Sequence, residues 1–198
     1  VDFGFILAIA AYAFVTSITP GPNNTMLLAS GVNFGLRRTL PHIFGITLGF
    51  SLMLLAVGAG VGGLFLNHPG LYRILQFVGA AYLLYLAWLI ANAGAPESVS
   101  SATGKPFTFV QAAAFQWVNP KAWILALGVT TTYLPADGYF AHLAVASLIF
   151  GIMNFPCISV WAGLGEVLRS KLKNKKLLRI FNFVMAGLLI ISLIPMLR

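Results

Sequence analysis

The sequence predicts an all-α polytopic membrane protein, with six transmembrane helices arranged as two inverted three-helix repeats in which helices 1 and 4 are broken. Three observations carry that expectation. Of the 198 residues, 59% are hydrophobic and only 8% are charged, with a mean hydropathy of +0.91, whereas soluble domains carry about a quarter charged residues. Long runs without charge reach the roughly 20 apolar residues that a helix needs to cross a hydrocarbon core of about 30 Å. They lack the alternation of apolar and polar residues that marks an outer-membrane barrel strand. Finally, stretches of the second half repeat stretches of the first.

The first span, 3–32, lies inside a run from Phe3 to Leu36 with no Asp, Glu, Lys or Arg. It has no basic segment before it and outlasts a signal h-region, so it is read as a retained span. Arg37 and Arg38 follow, and the second span, 39–66, is again free of charge. The third, 71–93, carries only Arg73. A polar linker, 94–108, inside the stretch "NAGAPESVSSATGKP", separates a first repeat (1–93) from a second (109–198). The fourth span, 109–134, has Lys121 near its centre; the fifth, 139–165, has no charge; the sixth, 178–197, carries Arg179.

The +8 net charge encodes orientation rather than nucleic-acid binding. Arg37, Arg38, Lys105, Arg169, Lys171, Lys173, Lys175 and Lys176, with Arg179 at the start of span 6, fall in or beside the loops between spans 1–2, 3–4 and 5–6, against Arg73 and Arg198 on the other side. By the positive-inside bias those loops are cytoplasmic and both termini lie outside. The cluster from Arg169 to Arg179 also suits contact with anionic lipid headgroups. The single cysteine, Cys157, excludes an intramolecular disulfide, a CxxC redox pair and a thiolate metal cluster.

"RILQFVGAAYLL", Arg73 to Leu84, aligns with "RIFNFVMAGLLI", Arg179 to Ile190, and "IFG" at Ile43 recurs at Ile149. "ITPGP" at Ile18–Pro22 and "VNPKA" at Val118–Ala122 stand at corresponding places in spans 1 and 4. Because each half has an odd number of spans, the second copy enters the membrane from the opposite side. Inverted repeats of this kind are typical of secondary transporters that expose a midplane site alternately to each face.

Pro20 and Pro22 interrupt span 1 near Gly21, since proline removes a backbone hydrogen bond and its ring clashes with the preceding turn. A lone proline reads as a kink satisfied by nearby hydroxyls such as Ser17, Thr19 and Thr25. Here the interruption is doubled, followed by Asn23 and Asn24, and mirrored by Asn119, Pro120 and Lys121 in span 4. Paired interruptions at equivalent positions point to a substrate site, where helix N-termini face an anion and unwound carbonyls face a cation. Lys121 at mid-span costs about 2.5–3.5 kcal/mol on the insertion scale, less if the break shifts register and lets the ammonium reach water, the alternative to a functional role. The four acids, Asp2, Glu97, Asp137 and Glu166, all lie at span ends or in the linker, so the counter-ion expected for Lys121 is a substrate carboxylate. The same lack of deep acids argues against dications and strongly cationic substrates. A zwitterion or monoanion remains.

Weaker signals complete the reading. Asn154, in "NFP", either lines the cavity or kinks span 5. Gly45 and Gly49 suit close helix packing. His42 and His142 lie near span ends, where a lone histidine is ordinarily structural. Trp117, Trp123 and Trp161 read as packing or interface aromatics. No phosphate loop, metal-ligand cluster or hydrolytic triad spacing occurs, so neither cofactor nor metal is expected. A membrane-embedded enzyme would need an acid–base or nucleophile constellation. A small-ion carrier or channel would need rings of carbonyls or acids.

At "TPGPNN", "VGAAYLLYLAW" and "NPKAW" the chain resembles the lysine exporter (LysE/RhtB) family of bacterial amino-acid exporters, over essentially its whole length. "QWVNPKAWILALGVTTTYLP" looks nearest to the cysteine/O-acetylserine and threonine/homoserine branches, although the run after NPKA departs from a phenylalanine-rich family pattern. The resemblance implies efflux of neutral amino acids or close derivatives across the inner membrane, driven by the proton gradient. An amino-acid substrate and membrane lipid are the partners it implies, with room for a homo-oligomer.

Overall fold

A computed structural model of the chain describes residues 1–93, 105–172 and 174–194, which form helices joined by short turns with no strand among them. Asp2 caps α1 (Phe3–Ile18), its carboxylate accepting from Phe5 N at 2.7 Å. After a short break, α2 (Pro22–Phe34) begins with proline in its first turn, where the missing N–H costs nothing. A single residue, Gly35 at φ +84°, joins α2 to α3 (Leu36–Ala56), a left-handed geometry that favours glycine. α3 runs through a π-helical turn, Val57–Val61, kinked at Gly60 (φ +123°), into α4 (Gly62–Asn67). Then come α5 (Pro69–Ala91), α6 (Phe109–Gln116), α7 (Pro120–Gly128) with a π turn at Val129–Tyr133, α8 (Tyr139–Lys171) and α9 (Lys175–Ile191). A reciprocal capping box between Thr108 and Gln111 starts α6.

The described residues of the six expected spans are largely helical, with breaks at 19–21 and 117–119, and residues 195–197 of the sixth lie outside the described residues. Leu36–Leu64, Arg73–Ala91 and Tyr139–Lys171 are each long and apolar enough to cross a membrane, and α1 with α2 qualifies as one span bent by 55°. The fourth expected span is divided among α6, α7 and the π turn, and the sixth corresponds to the 17-residue α9. Residues 94–104 of the expected linker, together with Lys173 and Arg198, lie outside the described residues.

α8 packs along α1, α2 and α3, α6 lies against α3, and α5 pairs with α9. α3 and α8 are antiparallel: Ser51 Oγ donates to Ser147 O (3.2 Å), Ser147 Oγ donates to Ser51 O (2.7 Å), and Thr47 Oγ1 donates to Asn154 Oδ1 further along. Gly49 permits the close approach of α6, because a Cβ there would stand 2.6 Å from Ala113 Cα. One core joins Ile9, Phe50, Met53, Trp123 and Phe150; a second joins Met26, Leu83, Leu86, Phe115 and Leu189. Outward-facing apolar side chains such as Phe77, Phe140, Leu148 and Ile152 form the surface that a bilayer requires.

The described ends of the bundle differ in charge. Leu36 N donates to the Glu166 carboxylate, Asn182 Nδ2 donates to Ala93 O (2.7 Å), and Asn182 and Asn33 exchange amide hydrogen bonds. These contacts, with Lys105 and Phe107 beside Asn33 and Ala93 and with Arg169 beside Gly35, gather basic residues at one end. Tyr139 Oη donates to Gly58 O (3.1 Å) and Phe5 meets His142 edge-on (4.8 Å) at the other.

Candidate functional site

The break in the first span is closed atom by atom. Pro20 has no N–H and biases the residue before it away from helix, and Thr19 sits extended at φ −68°, ψ 146°. A helix end leaves its last four carbonyls without intrahelical partners, and in the hydrocarbon region such groups must be satisfied within the protein. Val15 O accepts from Thr19 N (3.3 Å), and Thr16 O accepts from Thr19 Oγ1 (3.0 Å). Ser17 O accepts from Asn24 Nδ2 (2.9 Å), and Ile18 O accepts from Trp161 Nε1 (3.1 Å). Thr19 O accepts both from Asn24 Nδ2 (2.8 Å) and from Lys121 Nζ (3.0 Å).

The second break brings that lysine. α6 ends at Gln116; Asn119 caps α7 by accepting from Lys121 N (3.1 Å), and Pro120 occupies the first helical position. Trp123 Nε1 donates back to Trp117 O (2.7 Å), holding the turn. Lys121 leaves the first turn of α7 and reaches across to α1, where its ammonium also donates to Thr19 Oγ1 (2.9 Å) and lies 3.4 Å from Pro20 O. All three acceptors are neutral oxygens. The positive end of α7 disfavours a cation at this place, and the negative end of α1 favours it. Gly21 makes the approach feasible through its size: its backbone is extended (φ 179°), but a Cβ would stand 3.0 Å from Lys121 Cδ and 3.3 Å from Nζ.

A cavity of about 40 Å³ lies at this junction. Of the nine residues expected from the sequence, Gly21, Asn23, Asn24, Asn119, Lys121 and Asn154 line it, while Pro20, Pro22 and Pro120 shape the two breaks. Asn154 Nδ2 donates to Ser17 Oγ (3.0 Å), so the "NFP" asparagine faces the cavity. Asn24 is almost wholly buried; both of its amide hydrogens point at α1 carbonyls and its Oδ1 has no hydrogen-bond partner among the described residues. Phe50 and Phe150, 5.2 Å apart, wall the cavity, and Tyr12 and Tyr133 extend this aromatic layer away from the basic end.

Sequence reasoning missed several members. Gln116 is fully buried in the cavity wall and exchanges two hydrogen bonds with Asn23, at 2.8 and 3.2 Å. Trp161, read as a packing or interface aromatic, is packed and also donates to the broken helix. Outside the cavity, His42, read as a residue near a span end, is fully buried, edge-on to Phe107 at 5.0 Å, with no hydrogen-bond partner for either ring nitrogen among the described residues.

Two proline-broken helices meeting at a polar cavity between apolar helices coincide with the match to a family model. The model described as LysE type translocator covers residues 14–193, both breaks included. The chain belongs to the LysE-type translocator family. Among curated relatives, a cysteine/O-acetylserine efflux protein of Escherichia coli O139:H28 (strain E24377A / ETEC) is 31% identical over 182 residues, 90% of each chain. The protein of the same description from Escherichia coli strain K12 is 30% identical over 182 residues, again 90% of each. The one from Salmonella typhimurium strain LT2 is 28% identical over 180 residues, 90% of each. No solved structure matches this LysE-type chain.

Proposed function

We propose that this LysE-type translocator is a secondary transporter exporting neutral amino acids or close derivatives, of the cysteine/O-acetylserine or threonine/homoserine type, across the bacterial inner membrane. Substrate sits at the junction of the two broken helices, and alternating access is driven by the proton gradient. The six helical segments act as two inverted repeats, with both termini outside and the basic end in the cytoplasm.

The observation that carries this reading is Lys121, a cation at the junction whose hydrogen-bond acceptors among the described residues are neutral backbone and hydroxyl oxygens. A substrate carboxylate supplies the charge that these oxygens lack. The unwound carbonyls that would otherwise hold a small cation are occupied by the protein's own ammonium, which weighs against an ion carrier or channel. A cavity of about 40 Å³ has room for about one water, whose share of liquid volume is about 30 Å³. Substrate therefore requires widening on one side, with the aromatic layer toward one end and the Asn23–Gln116 pair toward the other as the contacts that part.

Counterflow in proteoliposomes tests the proposal. Vesicles loaded with unlabelled O-acetyl-L-serine should accumulate labelled O-acetyl-L-serine saturably and unchanged, with efflux accelerated by an imposed proton gradient. Conversion of the label would indicate an enzyme; non-saturating flux would indicate a channel.

A further inference from the structure

We infer that Asn24 forms the ammonium subsite of the cavity, its Oδ1 accepting from the α-ammonium of the substrate and restricting the protein to α-amino acids over other carboxylates. This rests on the reading of the central cavity as the substrate site and extends it to a second recognition group.

The argument begins with an unfilled acceptor. A buried polar atom without a partner is destabilising, and most native buried groups avoid that state. Asn24 retains 3% of its exposure, and its orientation is fixed by chemistry: two carbonyl oxygens, Ser17 O and Thr19 O, both require donors, so the NH2 faces α1 and the carbonyl oxygen is left over. That leftover Oδ1 has no partner among the described residues. A residue needed only to close the helix break would serve equally with a donor alone. The side chain also lines the cavity.

Position supplies the second part. Asn24 Nδ2 and Lys121 Nζ share one acceptor, Thr19 O, at 2.8 and 3.0 Å. Their polar ends are therefore no further apart than two hydrogen bonds laid end to end. An α-amino acid carries its carboxylate and ammonium on a single carbon, the spacing that suits a cation donor and a neutral acceptor held side by side. The pairing is complementary in sign: Lys121 provides donors only and Asn24 Oδ1 provides lone pairs only. With no acid lining the cavity among the described residues, the ammonium is bound by a dipole rather than by a charge. The substrate carboxylate and Lys121 neutralise each other, the substrate's own ammonium leaves one positive charge held by the Asn24 dipole, and a second positive charge on the substrate side chain goes unpaired.

The test is a pair of binding ratios on the full-length protein in lipid nanodiscs. Affinities are measured for O-acetyl-L-serine, for its carboxamide and for its deaminated analogue, 3-acetoxypropionate, in the wild type, Asn24→Ser, Asn24→Leu and Lys121→Met. Wild type should favour the amino acid by about ten- to a hundredfold, the span of one hydrogen bond to a charged group. The Asn24 variants that fold should lose that preference while still distinguishing carboxylate from carboxamide. A purely structural role would weaken both ligands equally and leave the ratio intact. Wild type binding both ligands alike overturns the inference, even if no Asn24 variant folds, and so does a folded Asn24 variant that keeps the ratio. Lys121→Met losing carboxylate recognition while Asn24 variants keep the ammonium preference would sink this inference alone. Unaltered binding in both sets of variants would sink the cavity as the substrate site.

Discussion

Lys121 Nζ lies 2.9 Å from Thr19 Oγ1 and 3.0 Å from Thr19 O, across 102 residues of chain. The contact ties the start of α7 to the end of α1 and makes the two proline breaks one site. Any change that moves either break should therefore be felt at the other.

Restoring the first helix is the mildest such change. Pro20→Ala returns an N–H and removes about 3 kcal/mol of helix-breaking propensity, so α1 is drawn onward toward Gly21 and its carbonyls are taken back into the helix. Transport in proteoliposomes should fall while the thermal midpoint stays equal or rises. Normal transport with normal expression would mean that the break is a packing kink.

Crowding Gly21 acts from the other side. The extended backbone there accepts any residue, so Gly21→Val should fold, but its side chain meets Lys121 within 3.0–3.3 Å of the Cβ position and displaces the ammonium. An ångström of misplacement in a preorganised site costs on the order of a hundredfold, and transport efficiency should fall by that order with the protein still in the membrane. Wild-type transport by Gly21→Val would remove the ammonium position from the account.

Orientation is tested with cysteines in a Cys157→Ser background. A cysteine in place of Lys175 should react with an impermeant thiol reagent only after the cytoplasmic face is opened, and one in place of Asp137 should react in intact cells. The reverse pattern would invert the proposed topology.

What was legible in the sequence was what depends on local chemistry. Hydropathy located every helical segment, and proline and asparagine located both breaks, because N–H loss and side-chain capping act within a few residues. α8 continues to Lys171, past the expected end at 165, because Glu166 and Arg169 end the apolar run without ending the helix. The partners of the site were not legible. Asn23 meets Gln116 across 93 residues and Trp161 meets Ile18 across 143, distances over which spacing carries no information. Lys121 was expected to lack an acidic counter-ion within the protein; the neutral acceptors it does find, chiefly backbone carbonyls, are ones that composition cannot count. His42 was expected only to lie near a span end, and its full burial against Phe107 comes from packing that the local sequence does not specify.

The central claim is that Lys121 anchors the substrate carboxylate, and ligand binding to the purified protein tests it most directly, with O-acetyl-L-serine compared against its carboxamide in wild type and Lys121→Met. Removing one partner of a desolvated ion pair costs about 3–5 kcal/mol, more than a hundredfold in affinity. The account predicts that wild type prefers the carboxylate by that order, that Lys121→Met loses the preference while remaining folded, and that Lys121→Arg restores it only in part, because a planar guanidinium does not reproduce an ammonium fitted beside Gly21. Equal binding of both ligands by wild type, or an undiminished carboxylate preference in Lys121→Met, would contradict it.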